Sequence, residues 1–362
     1  MMKCYINTFY EFNNYGTKLQ NYALVSILSK YFDEVNTIYL INRKKRIQIL
    51  IKRFFCIFPL ITDKQKKWKN EFIKESVFYE FNKKLNYKYI SLKDLKSEDM
   101  TNIYSIVGSD QVWSPNHLAN NMQDVELFFM NYNSVSRRFS YAPSFGVDDI
   151  PNEMKKIYEN GLKNINNICV REEQGKKIIE KIIDKEALVV PDPVFLLSKN
   201  KWEEIFQNEV IEKDYIFVYF LGNIENNLYN MLEKFSRETN KKIVYVTGNY
   251  YDKDNMVLSP NAFIEYISKA SYVITDSFHS AAFSLIFQKP FQIFERLDVN
   301  QSSRIKNLIK KYKCEKCFVN KKDRNNYNYE INPFISDDVL NILDSERVFG
   351  NKYISDLFKN VK

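Results

Sequence analysis

The clearest pattern along the chain is an alternation of short, continuously apolar runs with longer stretches of helical spacing. Tyr272-Val273-Ile274-Thr275 is apolar, β-branched and too short for a helix, so it predicts a buried strand. Asp276, Ser277 and Ser280 follow as helix-start residues. Ala281 to Phe287 is apolar almost all round, which predicts a largely buried helix. The same rhythm runs through the first half. Strands are predicted over 3–9, 35–41, 103–107, 139–142, 168–170 and 188–190, and helices over 19–31, 152–165 and from Glu172 to Ile183. A polar, helix-like stretch over 198–214 predicts a junction. Beyond it, strands over 215–221, 242–246, 272–275 and 291–294 alternate with helices over 227–239, 261–270 and 303–312. Buried strands alternating with helices mean parallel sheets covered on both faces. The expected organisation is an N-terminal α/β domain over 1–200, a second over 201–335, and a helical tail over 336–362 that caps or crosses back. Two such domains imply a cleft between them.

Composition narrows the picture. The chain has 362 residues, and 45% of them are hydrophobic, enough for two cores. The net charge of +8 suits anionic partners, but no basic groove with aromatic platforms stands out, so no nucleic acid is expected. Five scattered cysteines, Cys4, Cys56, Cys169, Cys314 and Cys317, argue against a disulfide framework and for a reducing compartment. Cys314-x-x-Cys317 lacks two further ligands nearby, so it reads as structural and no metal is expected. The N-terminus lacks the apolar run of a signal peptide, and no run of 18 uncharged apolar residues exists. The expected location is therefore the cytoplasm. Residues 43–69 break the pattern: ten Lys and Arg stand against one acid, Asp63, around the apolar runs 47–51 and 54–61. A basic amphipathic element of this kind predicts peripheral contact with the inner face of a membrane; the alternative is an excursion packed on its own domain.

The candidate chemistry gathers at strand ends. His279, one of two histidines, sits where a strand hands over to a helix N-terminus, which favours anions. An imidazole can carry a proton there at neutral pH. Gly108 lets the chain turn after the strand 103–107 and leaves Asp110 just past it, a base or a cap. Asn14, Gly16 and Gln20 belong to a strand-turn-helix unit with one glycine, a weak phosphate-approach signal. Trp113 offers a sugar platform or, more simply, core packing; His117 reads as a loop histidine.

Several motifs occur together in one order: Asn14-Tyr15-Gly16 with Leu19-Gln20-Asn21-Tyr22-Ala23-Leu24, Gly108-Ser109-Asp110-Gln111-Val112-Trp113, Tyr141-Ala142-Pro143-Ser144-Phe145-Gly146, Val170-Arg171-Glu172, Asp192-Pro193-Val194 and Asp276-Ser277-Phe278-His279. In this the chain resembles the polysaccharide pyruvyl transferase family over roughly residues 5–310. The resemblance implies a GT-B-like fold of two Rossmann-like domains facing across a cleft. It implies phosphoenolpyruvate as donor, with no cofactor, and a sugar of a surface glycan or of its lipid-linked precursor as acceptor. The product would be a pyruvate ketal. Under it, His279 is the general acid, Asp110 a candidate base, and Asn14, Gly16, Gln20 and Trp113 line the cleft. Many members carry an arginine two residues before the histidine; here that position is Ser277, and Ser280 follows the histidine. Arg171, Arg296 and Arg304 are then the cations that can hold a donor anion. Two rivals share the architecture: a nucleotide-sugar glycosyltransferase, with Glu295 on a ribose, and a non-catalytic glycan-binding relative.

Overall fold

A computed structural model describes residues 1–361 apart from 11–12, 42, 56–62, 120, 209–212, 247–255, 298–301 and 325–335. The first sheet contains β1 (Lys3–Asn7), β2 (Glu34–Leu40), β3 (Tyr87–Ile90), β4 (Ile103–Val107) and β5 (Arg138–Ser140), all parallel, in the order β3-β2-β1-β4-β5. A two-stranded parallel ribbon, β6 (Cys169–Val170) and β7 (Leu188–Val189), follows. The second sheet contains β8 (Tyr215–Tyr219), β9 (Lys242–Val246), β10 (Tyr272–Thr275), β11 (Phe291–Phe294) and β12 (Phe318–Val319), again parallel, in the order β12-β11-β10-β8-β9. All residues of β8, β10 and β11 are buried, as strands covered on both faces must be. Register places Ile6 beside Ile106 in one sheet and Ile274 beside Val218 in the other. Both strand orders are doubly wound, and each reverses once: between β1 and β4, and between β8 and β10. Ligands bind outside the carboxyl ends of strands at such reversals. The fold is therefore α/β with two Rossmann-like sheets, the GT-B-like architecture.

The helices that matter for function are α1 (Tyr15–Leu28), α2 (Arg43–Phe55), α3 (Asp63–Lys83), α4 (Glu173–Ile183), α5 (Pro260–Lys269), α6 (Phe278–Ile286), α7 (Ser302–Lys311) and α8 (Asp337–Phe358). Helix α1 joins the two halves. Tyr15 stacks on Phe263 of α5 with ring centroids 4.1 Å apart, and its hydroxyl accepts from the Leu258 amide at 3.1 Å. Helix α8 returns from the second sheet to the first: Phe358 packs on Phe32 and Phe139, and Gly350 lies against Leu196 and Pro191. Of the junction expected as helix-like over 198–214, residues 209–212 lie outside the described ones, and among the rest the helix is Lys199–Glu203. There Trp202 folds under and donates from its indole to the Val194 carbonyl at 3.0 Å, which ties the segment down as a tether. The basic excursion is two helices, α2 and α3; its residues 56–62 lie outside the described ones. No helix among the described residues is long and apolar enough to cross a membrane.

Helix α1 also buries a charge. Lys18 is 2% exposed, donates to the Tyr10 carbonyl at 2.9 Å and to the Tyr87 hydroxyl at 2.8 Å, and burial pulls its ammonium down to about 7. In the unfolded chain the same group titrates near ~10.4. Between these values the unfolded state binds more protons than the native one, so stability rises with pH across this window. The expected slope approaches about 1.4 kcal/mol per pH unit, and Lys18→Met is expected to flatten it. Urea unfolding at several pH values between neutral and about 10 checks this; an equal slope in both proteins would contradict it.

Candidate active site

Four helix N-termini meet where the two sheets' strand ends face each other, and each contributes by a local rule. Asn14 caps α1, its side chain accepting from the Thr17 amide at 3.3 Å. Gly16 in the first turn leaves room for the His279 ring: a Cβ there would stand 2.7 Å from Cε1 and nearer still to Nδ1. Ser277 caps α6, accepting from the Ser280 amide at 3.4 Å, so its hydroxyl is engaged in starting the helix that carries His279. Arg171 leaves β6 just before α4, and its guanidinium lies 5.0 Å from the Phe278 ring centroid. Arg304 sits in the first turn of α7, with Nη1 4.0 Å from Asp110 Oδ1. A helix N-terminus carries roughly half a positive charge, so termini gathered in this way suit an anion.

Charged side chains complete it. Arg171 is buried and gives Nη1 to Asp192 Oδ2 at 2.6 Å, with Nε 3.5 Å from Glu172 Oε2. Burial works against its charge, but Asp192, Glu172 and Asp110 more than offset this and hold its proton more tightly than usual. His279 presents Nε2 to Asp192 Oδ2 at 3.5 Å. Burial pushes the Asp192 carboxyl up, yet His279 and Arg171 draw it well below the usual carboxylate range, so it stays ionised. Asp110, with φ of 72° at the β4 end, accepts from the Thr17 hydroxyl at 2.8 Å and from the Gln111 amide at 2.9 Å. Burial raises its carboxyl, and Arg171, His279, Arg304 and Thr17 together lower it by more. Burial, with Arg171 nearby, pushes Arg304 down to about 10, so it stays charged at neutral pH. Gln20 pins the Asp110 loop, accepting from the Ser109 amide at 3.0 Å and donating to Thr8. Arg171 Nη2, Glu172 Oε2, His279 Nε2 and Ser280 Oγ are buried with no hydrogen-bond partner among the described residues. Such groups at one place suit a polar ligand that completes them.

The structure thus brings together Asn14, Gly16, Asp110, Arg171, Ser277, His279, Ser280 and Arg304, with Gln20 supporting the Asp110 loop. It places others elsewhere. Trp113 is a core residue with no exposure: its indole donates to the Phe128 carbonyl at 3.1 Å and packs on Phe129 and Phe145, so no face is left for a sugar. Glu295 is engaged by Lys306 at 3.2 Å and by the Lys321 amide at 3.1 Å, which leaves little of it for a ribose. Arg296 approaches Asp276 at 3.9 Å, and Asp276 in turn accepts from the Leu221 and Gly222 amides, closing the loop after β8. His117 lies in a short helix and packs edge-on to Phe9 at 4.8 Å. No group of three His, Cys, Asp or Glu among the described residues is placed to hold a metal ion. Asp192 is the residue that strand and helix patterns overlooked. Flanked by Pro191 and Pro193 it reads as a strand stop, and only its motif position marked it.

Among solved structures, a UDP-N-acetylglucosamine 2-epimerase is similar at 13% identity and TM-score 0.48, covering 97% of this chain and 96% of that one. The Methanocaldococcus jannaschii UDP-GlcNAc 2-epimerase, in complex with UDP-GlcNAc and UDP, is similar at 11% identity and TM-score 0.47, covering 98% and 99%. An uncharacterised Klebsiella pneumoniae protein is similar at 14% identity and TM-score 0.38, covering 67% and 85%. No curated protein matches the sequence. The sequence profile of the polysaccharide pyruvyl transferases matches residues 14–296, a span that opens on the Asn14 cap and takes in Gly16, Asp110, Arg171, Asp192 and His279. On that match the chain belongs to the polysaccharide pyruvyl transferase family, and it is a transferase.

Proposed function

We propose that the chain transfers the three-carbon group of phosphoenolpyruvate, as a pyruvate ketal, to a sugar of a surface polysaccharide, such as a capsule or exopolysaccharide, or of its lipid-linked precursor, on the cytoplasmic side of the membrane. The observation that carries this reading is the meeting of four helix N-termini around two buried arginines and His279. Phosphoenolpyruvate carries a carboxylate and a phosphate on one small frame, which asks for this density of cations and amides. Arg171 holds one anion through its unpaired Nη2, and Arg304 with the amides of α6 and α7 faces the other.

In the reaction a sugar hydroxyl adds to C2 while a proton goes to C3, turning the methylene into a methyl group. A second hydroxyl then attacks C2, the bond to the phosphate oxygen breaks, and inorganic phosphate leaves with the remaining proton. His279 delivers the proton to C3, and Asp192 orients its ring. Asp110, ionised and fixed by Thr17, takes a proton from the acceptor hydroxyl. Its lowered affinity for protons makes it a modest base, so its main contribution is to place that hydroxyl.

Thermal-shift titration tests the donor. Phosphoenolpyruvate is expected to raise the Tm of the wild type by mass action, and UDP and CDP are not. Stabilisation by a nucleotide alone would contradict the pyruvyl donor and favour the glycosyltransferase.

A further inference from the structure

Helix α2 turns an apolar face outward. Ile47, Leu50 and Ile51 are 58%, 64% and 50% exposed, and Phe54 and Phe55 are 57% and 47% exposed. Positions 47, 50, 51 and 54 follow the spacing that draws one stripe along a helix. The opposite side is the one that holds the helix down: Ile49 and Lys52 are half-buried, and Lys52 pairs with Glu71 of α3 at 3.5 Å. The stripe lies on the side away from that contact, and exposed apolar stripes mark interaction sites.

Charge selects the occupant. Over 43–69 the sequence carries Arg43, Lys44, Lys45, Arg46, Lys52, Arg53, Lys64, Lys66, Lys67 and Lys69 against Asp63 alone. An apolar partner protein would need no such excess of one sign. A bilayer with anionic headgroups offers both a negative surface and, just below it, an apolar layer. We propose that α2 is a peripheral membrane anchor lying in the plane of an anionic bilayer, with Ile47, Leu50, Ile51 and Phe54 in the acyl boundary. None of these residues belongs to the active site, and the anchor stands or falls independently of the donor.

Co-sedimentation of the full chain with vesicles tests it, using phosphatidylcholine alone and phosphatidylcholine mixed equally with phosphatidylglycerol. The wild type is expected to pellet with the anionic vesicles, to stay in solution with the neutral ones, and to be released by added salt. Leu50→Glu/Ile51→Glu is expected to lower the vesicle-bound to free ratio about tenfold or more with Tm unchanged. Leu50→Ser/Ile51→Ser serves as the milder variant, with the same direction expected, should the charged one fold poorly. Binding to both vesicle types alike, binding to neither, or undiminished binding by a folded variant would overturn the proposal. So would a wild-type dimer in solution that Leu50→Glu/Ile51→Glu converts to a monomer, which would assign the stripe to a second copy of the chain.

Discussion

Replacing Arg171 by alanine is expected to cost about 3–5 kcal/mol of folding stability and to abolish transfer. The stability loss follows from what stays behind. Asp192 is buried, and its shortest ion pair is with Arg171 at 2.6 Å; His279 stands farther off, at 3.5 Å. Without the guanidinium, the protein must keep a poorly compensated carboxylate or protonate it. This origin has a pH signature. The native Asp192 carboxyl lies below its unfolded value, so its contribution is present above about pH 4 and is lost as pH falls through the native value. The variant lacks the Arg171 share of that contribution, so the gap between wild type and Arg171→Ala is expected to be widest near neutral pH and to narrow on acidification. Urea unfolding at pH values from about 7 down to about 2 measures both. A gap below about 1 kcal/mol, or one independent of pH, would mean that Arg171 does not help to keep Asp192 ionised.

Replacing His279 by asparagine is expected to lower kcat by about 10²–10⁴-fold, the usual value of a positioned proton donor, while phosphoenolpyruvate still raises Tm. Asparagine keeps a polar side chain in the site but cannot carry a proton at neutral pH. Gly16→Ala is expected to act through the same group from the other half of the molecule. The added methyl would overlap the ring, which is buried and has little room to retreat. It is expected to lower kcat with little change in KM for the donor, since the arginines stay in place. Steady-state kinetics on the three proteins settle the matter; less than a tenfold loss in His279→Asn would remove the histidine from proton transfer.

Much of the fold was legible because its central strands are unmistakable. Ile103–Val107, Lys242–Val246, Tyr272–Thr275 and Phe291–Phe294 have the expected bounds, since short apolar runs between polar turns admit few readings. Edges were harder. Strand Tyr87–Ile90 carries Lys88, has no buried residue and sits at the sheet margin, and Phe318–Val319 is two residues long, so neither stands out as a pattern. Helix α1 starts at Tyr15, four residues before the apolar spacing begins, because the Asn14 cap rather than periodicity sets its first turn. In the site, His279 and Arg171 were visible as polar residues just past strand ends. What joins them was not: Asp192 lies 21 residues beyond Arg171 and far from His279 in sequence, and three-body ion pairs leave no local trace. Ser277 reads as the gap left by a missing arginine, whereas its place in the fold is that of a helix cap.

The return of α8 across the molecule has a consequence for how the protein is made. Phe358 closes against Phe32, Tyr104 and Phe139, so the face of the first sheet is completed by residues synthesised more than three hundred positions after Phe32. During translation, that face must wait, with its aromatic rings open to solvent or to chaperones, until α8 has left the ribosome. A nascent chain stalled before Asp337 would hold most of its active-site residues and still lack the helix that shelters the first sheet.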